Sequence, residues 1–398
     1  MHYVFDLKWM AGFFVDISNT NRSHMLNCIY CEHEKFESGK GSEEHAILSS
    51  LGGRKLSRNV CCERCNNRLG KAIDDGLSSR LSIISTLLNI KTGRNKGVPV
   101  QQGIVKLGDE SYNLLPTGEM IRGKVEKQWK TELGKTKFHI VANTEEQALK
   151  IIEGQLKSRG KSLDDIEMGT VTEVTQYGAT IDGIFSFCEN DLRSVAKMAL
   201  TMLATKVSPS RLRGSEFTNV INYINGSDLN AEDIVFSDTN TIFPSQYKVS
   251  NINHRIFIYS SQTEGLVVAL VELYGGFRFS ILLSRQWTGP SISCCYAIDP
   301  VSQDKIDSNI EANLELEAVL ASRGCVMSKA IEQLKPLFDH ISALDIQREE
   351  QRIIDSAMAK YGIEVLDEHC DDVVFQTIVK DLVDMYLKRS STQSRKLF

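Results

Sequence analysis

Two short cysteine pairs constrain this chain more than anything else in it: Cys28-Ile-Tyr-Cys31 and Cys62-Glu-Arg-Cys65, with 30 residues between them. A CxxC turn presents two thiolates to one ion, and two such turns complete a closed, tetrahedral four-cysteine site for Zn2+. No apolar run approaches the roughly 18 residues that span a bilayer, and the first residues have neither a basic leader nor a small-residue cleavage site. A cytoplasmic setting is therefore expected, in which thiols stay reduced and clustered cysteines bind metal rather than each other. Cys61 adjoins Cys62, so in an extended segment it points to the opposite face and is expected to pack rather than ligate. His33 is read as a surface histidine that offers an alternative ligand.

Charge is distributed unevenly around these pairs. The chain has 46 Lys+Arg against 51 Asp+Glu, a net charge of −5. Residues 54–96 nevertheless hold ten cations and three anions. Such an excess attracts polyanions, because phosphate neutralisation by Lys and Arg supplies most sequence-independent nucleic-acid affinity. Arg54, Lys55, Arg58, Arg64, Arg68, Lys71, Arg94 and Lys96 are the expected contacts, and DNA is expected to meet only the first quarter of the chain. The alternative is a solvated face of a small domain.

The gap between the pairs contains Glu44-His45-Ala46-Ile47-Leu48-Ser49-Ser50-Leu51-Gly52-Gly53, and the second pair continues as Cys62-Glu-Arg-Cys65-Asn66-Asn67-Arg68-Leu69-Gly70. This order resembles the four-cysteine subgroup of the HNH endonuclease family over about residues 28–77. The resemblance implies a ββα-metal finger pinned by the zinc. In it His45 is the general base, and Glu44 and Asn66 are oxygen ligands of a catalytic Mg2+ or Mn2+. The residue types suit those roles, since imidazole can be a neutral base at cellular pH and hard oxygen donors suit Mg2+. Glu44 and His45, adjacent on a strand, are expected to point opposite ways. The family's middle Asn falls on Ser57, and Asn59 is the candidate to serve instead. Ala46-Ile47-Leu48 replaces the family's apolar-apolar-Pro. A finger that binds nucleic acid or a protein without cutting is the alternative reading.

The rest of the chain reads as mixed α and β. Leu77, Leu81, Ile84 and Leu88 predict a helix from Asp74, and Lys91–Gly97 a linker. Phe138–Val141 is read as a strand, Thr144-Glu-Glu-Gln147 as a capping box, and 168–187 as two strands. Leu192, Val195, Ala196, Ala199, Met202 and Leu203 mark a buried helix. His254–Ser260, Leu266–Leu273 and Phe277–Leu283 predict an antiparallel meander, and Cys294-Cys295 lies in a further strand. Ala330–Leu344, Gln347–Tyr361 and Val373–Leu387 carry helical stripes, with Gly362 at a helix end. Asp367–Asp372 has metal-ligand residue types but is read as the acidic start of a helix.

The fold expected is α+β: a zinc-pinned HNH finger in 1–97, a mixed α/β region with an antiparallel meander in 98–328, and a helical C-terminus in 329–398. The function expected is metal-dependent hydrolysis of DNA phosphodiesters, with RNA the lesser candidate and no membrane involved. Residues 98–398 are expected to meet a protein partner, a second copy or an activating ligand, by analogy with nucleases of antiviral defence.

Overall fold

The computed structural model describes residues 25–31, 33–91, 97–107, 109–132, 135–167, 180–181, 186–227, 231–311, 314–363 and 371–394. At the N-terminus, strands β1 (Met25–Asn27) and β2 (Lys35–Glu37) pair antiparallel around the first cysteine pair. Strands β3 (Glu44–His45) and β4 (Leu56–Ser57) pair antiparallel, and helix α1 (Glu63–Leu69) follows, so the ββα finger is present. A π turn at Gly70–Asp74 joins α1 to α2 (Asp75–Leu87). The loop between β3 and β4 explains the double glycine physically. Gly52 has φ +96, in the left-handed region, and a Cβ on Gly53 would lie 1.9 Å from the Ile47 carbonyl oxygen.

A peripheral module comes next. Strands β5 (Gln101–Leu107), β6 (Glu110–Leu114) and β7 (Met120–Arg122) form a sheet, while β8 (Glu126–Glu132) and β9 (Lys135–Val141) make a separate two-stranded ribbon. Helix α3 (Glu145–Lys157) is capped by Thr144, whose hydroxyl accepts from Gln147 N. The expected box is only half formed, because the Gln147 side chain accepts from Asn143 N, one residue too early. Strand β10 (Thr180–Ile181) joins the edge of β5. Most of the two strands expected over 168–187 lies outside the described residues.

The body is built on helix α4 (Glu189–Ala204), short helices α5 (Pro209–Leu212), α6 (Thr218–Ile224) and α7 (Ala231–Ile234), and a six-stranded antiparallel sheet. Its strands are β11 (Val235–Ser237), β12 (His254–Ser261), β13 (Leu266–Leu273), β14 (Phe277–Ser284), β15 (Ser293–Ile298) and β16 (Lys305–Asn309). The order is β11-β14-β13-β12-β15-β16, so the expected meander forms its centre. The central strands β12, β13 and β14 are buried at nearly every position because both faces are covered, and most of the residues there are apolar. Ile256, Ile258 and Cys294 face one core, while Phe257, Tyr259 and Cys295 face another with helix α8 (Leu316–Ala321). Both adjacent cysteines are buried apolar residues, one on each side.

The larger core crosses the expected boundary at residue 97. It contains Leu77, Leu81, Ile84 and Leu88 of the finger, Val195, Ala199, Met202 and Leu203 of α4, and Val271, Tyr274 and Ile298 of the sheet. The finger is thus roofed by the body rather than tethered to it. At the C-terminus the two stripes expected over 330–361 are one helix, α9 (Met327–Tyr361), with Pro336 inside it and Gly362 as its left-handed cap. Helix α10 (Asp372–Ser394) packs on α9 through Val374 and Ile378 against Ile354 and Ala357.

One histidine pins the finger to the sheet. His254, fully buried on β12, bonds the Leu51 carbonyl through Nε2 at 2.8 Å and accepts from Tyr274 N through Nδ1 at 3.1 Å. These partners fix the neutral tautomer with hydrogen on Nε2, and burial lowers its pKa to about 4. The unfolded chain takes up this proton near pH 6.5, before the folded one does, so stability is lost as pH falls from about 6.5 to about 4. Denaturant titrations across that range should lose about 3 kcal/mol through this group. In His254→Gln the acid-induced loss should be smaller by about that amount.

Candidate zinc and nuclease site

The four expected ligands converge. The Sγ atoms of Cys28, Cys31, Cys62 and Cys65 all lie within 4.8 Å of one another, and Cys31 and Cys62 are 4.0 Å apart. A tetrahedron with bonds of about 2.3 Å has edges of about 3.8 Å, so the donor set fits a zinc ion. Cys62 opens α1 and its sulfur accepts from Cys65 N at 3.4 Å, which is how a helix start holds two thiols on one side. The body grips the other pair: Arg213 donates to the carbonyls of Cys28 and Cys31, and Asn225 Nδ2 to the Tyr30 carbonyl at 3.1 Å. His33 is exposed and stands outside the cluster. Cys61 is buried and not among the ligands, as its position opposite Cys62 implies.

The finger brings Asn66 to the start of the His45 strand. Asn66, on α1 directly after the fourth cysteine, donates through Nδ2 to Ser42 Oγ at 2.6 Å and to the Glu43 carbonyl at 3.1 Å. His45 is half-buried on β3 opposite Leu56, whereas Glu44 is 2% exposed, so the two alternate across the strand as expected.

Glu44 corrects the expectation built on the family. Its carboxylate is turned inward and bonded to Lys197 Nζ, and it also accepts from Cys61 Sγ at 3.6 Å. Lys197, 1% exposed on α4, bonds Asp74 Oδ2 as well at 2.8 Å, and Asp74 Oδ1 accepts from Ser194 Oγ at 2.7 Å. Burial alone would lower the lysine's pKa, but Glu44 and Asp74 outweigh it and hold the ammonium charged. Burial and the neighbouring Asp74 push the Glu44 carboxyl above its usual range, against the pull of Lys197. Burial and Glu44 together keep Cys61 a thiol. Glu44 is therefore the counter-ion of a buried lysine, on the strand face away from His45. The sequence signal was available but unused: Lys197 is a lone cation in the apolar run Val195–Leu203.

Two more assignments shift. Asn59 Oδ1 accepts from Gly39 N at 2.6 Å, which commits it to a turn, while Ser57 sits directly across from Glu44. Neither side chain is placed against His45 by these bonds. The expected polyanion contacts are largely engaged within the protein. Lys55 pairs with Asp307 of β16, Arg58 with Glu43, Arg64 with Glu34 at 4.0 Å, and Arg68 with Asn225 Oδ1 at 2.6 Å. Arg54 donates to the carbonyls of Gly53 and Lys91, whereas Lys71 is exposed. Arg94, Lys96 and 367–370 of the C-terminal acidic run lie outside the described residues. In the remainder of that run, Asp371 Oδ1 accepts from Val373 N at the start of α10, the helix-end role expected of it.

Residues 28–82, about one seventh of the chain, match the family model described as HNH endonuclease. No curated protein and no solved structure matches the chain. The four-cysteine cluster fits a zinc-binding member of that family. Among the described residues no helix is long and apolar enough to cross a membrane.

Two outcomes follow from this geometry. Removing Lys197 as Lys197→Met leaves the buried Glu44 carboxylate and the half-buried Asp74 without their cation and should cost about 3–5 kcal/mol in denaturant unfolding. Adding Glu44→Gln and Asp74→Asn to it should restore most of that loss. Elemental analysis should find one zinc per chain, and Cys65→Ala should lose both the metal and several degrees of melting temperature.

Proposed function

We propose that the N-terminal segment hydrolyses nucleic-acid phosphodiester bonds, with DNA as substrate and His45 as the general base that takes a proton from the attacking water. The observation that carries this reading is the β3-β4-α1 finger, which fastens Asn66 to the residues immediately preceding Glu44 and His45. Alternation along β3 sets His45 on the strand face opposite the buried Glu44. The body, through α4 and the sheet, holds this strand in place and is the part suited to recognition or regulation.

The donor set does not fit the divalent ion that the family resemblance implies. Mg2+ and Mn2+ are held through one or two carboxylates together with substrate phosphate. Here Glu44 is occupied by Lys197, and Asn66 offers one neutral oxygen. For Glu44 to act as a ligand it must leave Lys197. That commitment of Glu44 also supports a second reading, a zinc finger that binds nucleic acid without cutting.

Purified protein incubated with supercoiled plasmid, with and without added Mg2+ or Mn2+, separates the two. A nuclease should nick the plasmid, and His45→Ala should lower the rate at least a hundredfold while zinc content and melting temperature stay unchanged. Equal nicking by the variant removes His45 from the reaction. Salt-sensitive binding with no products favours the binding finger.

A further inference from the structure

The two halves of α9 pack on different partners. Leu334, Leu337, Ile341 and Leu344 join the larger core, and Arg348 donates to the Leu87 carbonyl at 2.7 Å. Beyond that point Ile354 and Ala357 meet Val374, Ile378 and Leu382 of α10, so the second half of α9 and α10 form a two-helix hairpin with a small core of its own. Such a hairpin covers one side of each helix, and the opposite side is ordinarily polar.

Helix α10 departs from that pattern. Val374 and Ile378 are buried against α9, yet Phe375, Val379, Val383, Tyr386 and Leu387 are between 42% and 64% exposed. With about 3.6 residues per turn, steps of three and four residues set these five side chains in one stripe, turned away from Val374 and Ile378. Lys380 and Asp384 rim the stripe on one flank; both are exposed, and neither is in an ion pair among the described residues. A contiguous apolar stripe rimmed by charge marks an interaction surface.

The stripe complements itself. In an antiparallel pair of α10 helices centred at the level of residue 381, Phe375 meets the partner's Leu387 and Val379 meets the partner's Val383. The two-fold axis of such a pair brings the same flank of both helices together. Lys380 then stands about two residues, roughly 3 Å, along the helix axis from the partner's Asp384, and the symmetry repeats the ion pair. Within one helix a lysine four residues before an acid is the less favourable order, so both charges are left for a neighbour. A parallel pair joins opposite flanks and leaves these charges unmatched. We propose that a second copy of this chain docks on this stripe, α10 antiparallel to α10, closed by two Lys380–Asp384 pairs. The proposal concerns assembly and is independent of the reading of the finger as a nuclease.

The test measures the mass of the full chain in solution by sedimentation velocity and light scattering over a range of protein concentrations. The parent should reach twice the monomer mass at tens of micromolar. Val379→Asp with Val383→Asp should make it monomeric while zinc content and far-ultraviolet circular dichroism stay unchanged, since both side chains already face outward. Lys380→Asp alone, or Asp384→Lys alone, turns both ion pairs into repulsions and should weaken the dimer about tenfold. Lys380→Asp combined with Asp384→Lys exchanges the charges and should restore the parent's dimer, which a folding defect in either single variant would not allow. A parent that stays monomeric, with its stripe covered by another segment of its own chain, overturns the proposal. So does a dimer that persists in the aspartate pair, because another surface then holds it. Exchanged charges that fail to restore the dimer overturn the antiparallel arrangement and the proposal with it.

Discussion

A single buried ammonium organises the molecule. Lys197 sits inside the larger core between Glu44 of the finger and Asp74 of the turn that follows it. A lysine in such a place is tolerated only when its charge is matched and its donors are used. The two carboxylates come from segments more than 100 residues away in sequence, so the lysine can be satisfied only when finger and body are docked. Arg213 on the zinc-knuckle carbonyls and His254 on the Leu51 carbonyl repeat the same demand at two other points. Each is a polar group of the body that finishes the hydrogen bonding of the finger, and together they join the small four-cysteine unit to a larger core.

Much of this was legible in the sequence, and what was legible shares a physical basis. The zinc ligands were visible because two CxxC turns have one common use, and the central strands because residues covered on both faces must be apolar. The stripe Leu77–Leu88 and the helix around Ala199 were visible as periodicity, though periodicity could not say that they would pack on each other. The sequence was silent where an interaction joins distant segments. Glu44 matched the pattern of the HNH family that this segment resembles, and nothing next to it in the sequence showed that its partner would be Lys197. The same limit applies to Lys55, whose partner Asp307 lies on the far edge of the sheet. At the C-terminus the stretches Ala330–Leu344 and Gln347–Tyr361 were expected as separate stripes, yet α9 runs straight through Asp345 and Ile346, which join them.

The charge pattern gains a different meaning from these pairings. A local excess of cations in a sequence is an upper limit on what a surface offers to a ligand, since carboxylates from elsewhere can consume it. The finger shows that consumption. In the peripheral module the pleat of one ribbon puts Trp129 and Phe138 on one side with Lys127, and Lys130 and Lys137 on the other with Glu126, so neither side carries one sign of charge alone.

The shared core also sets an order of events during synthesis. The finger's cysteines and apolar residues emerge from the ribosome first, while α4 and the strands that roof them are about 100 to 200 residues further along the chain. At translation rates of about 5–20 residues per second, that distance is a wait of roughly 5–40 seconds. Throughout it Glu44 has no ammonium to face and the apolar side of α2 has no cover. A nascent chain of this design cannot present a finished finger until most of the body has been made, so maturation of the site is timed by the length of the chain.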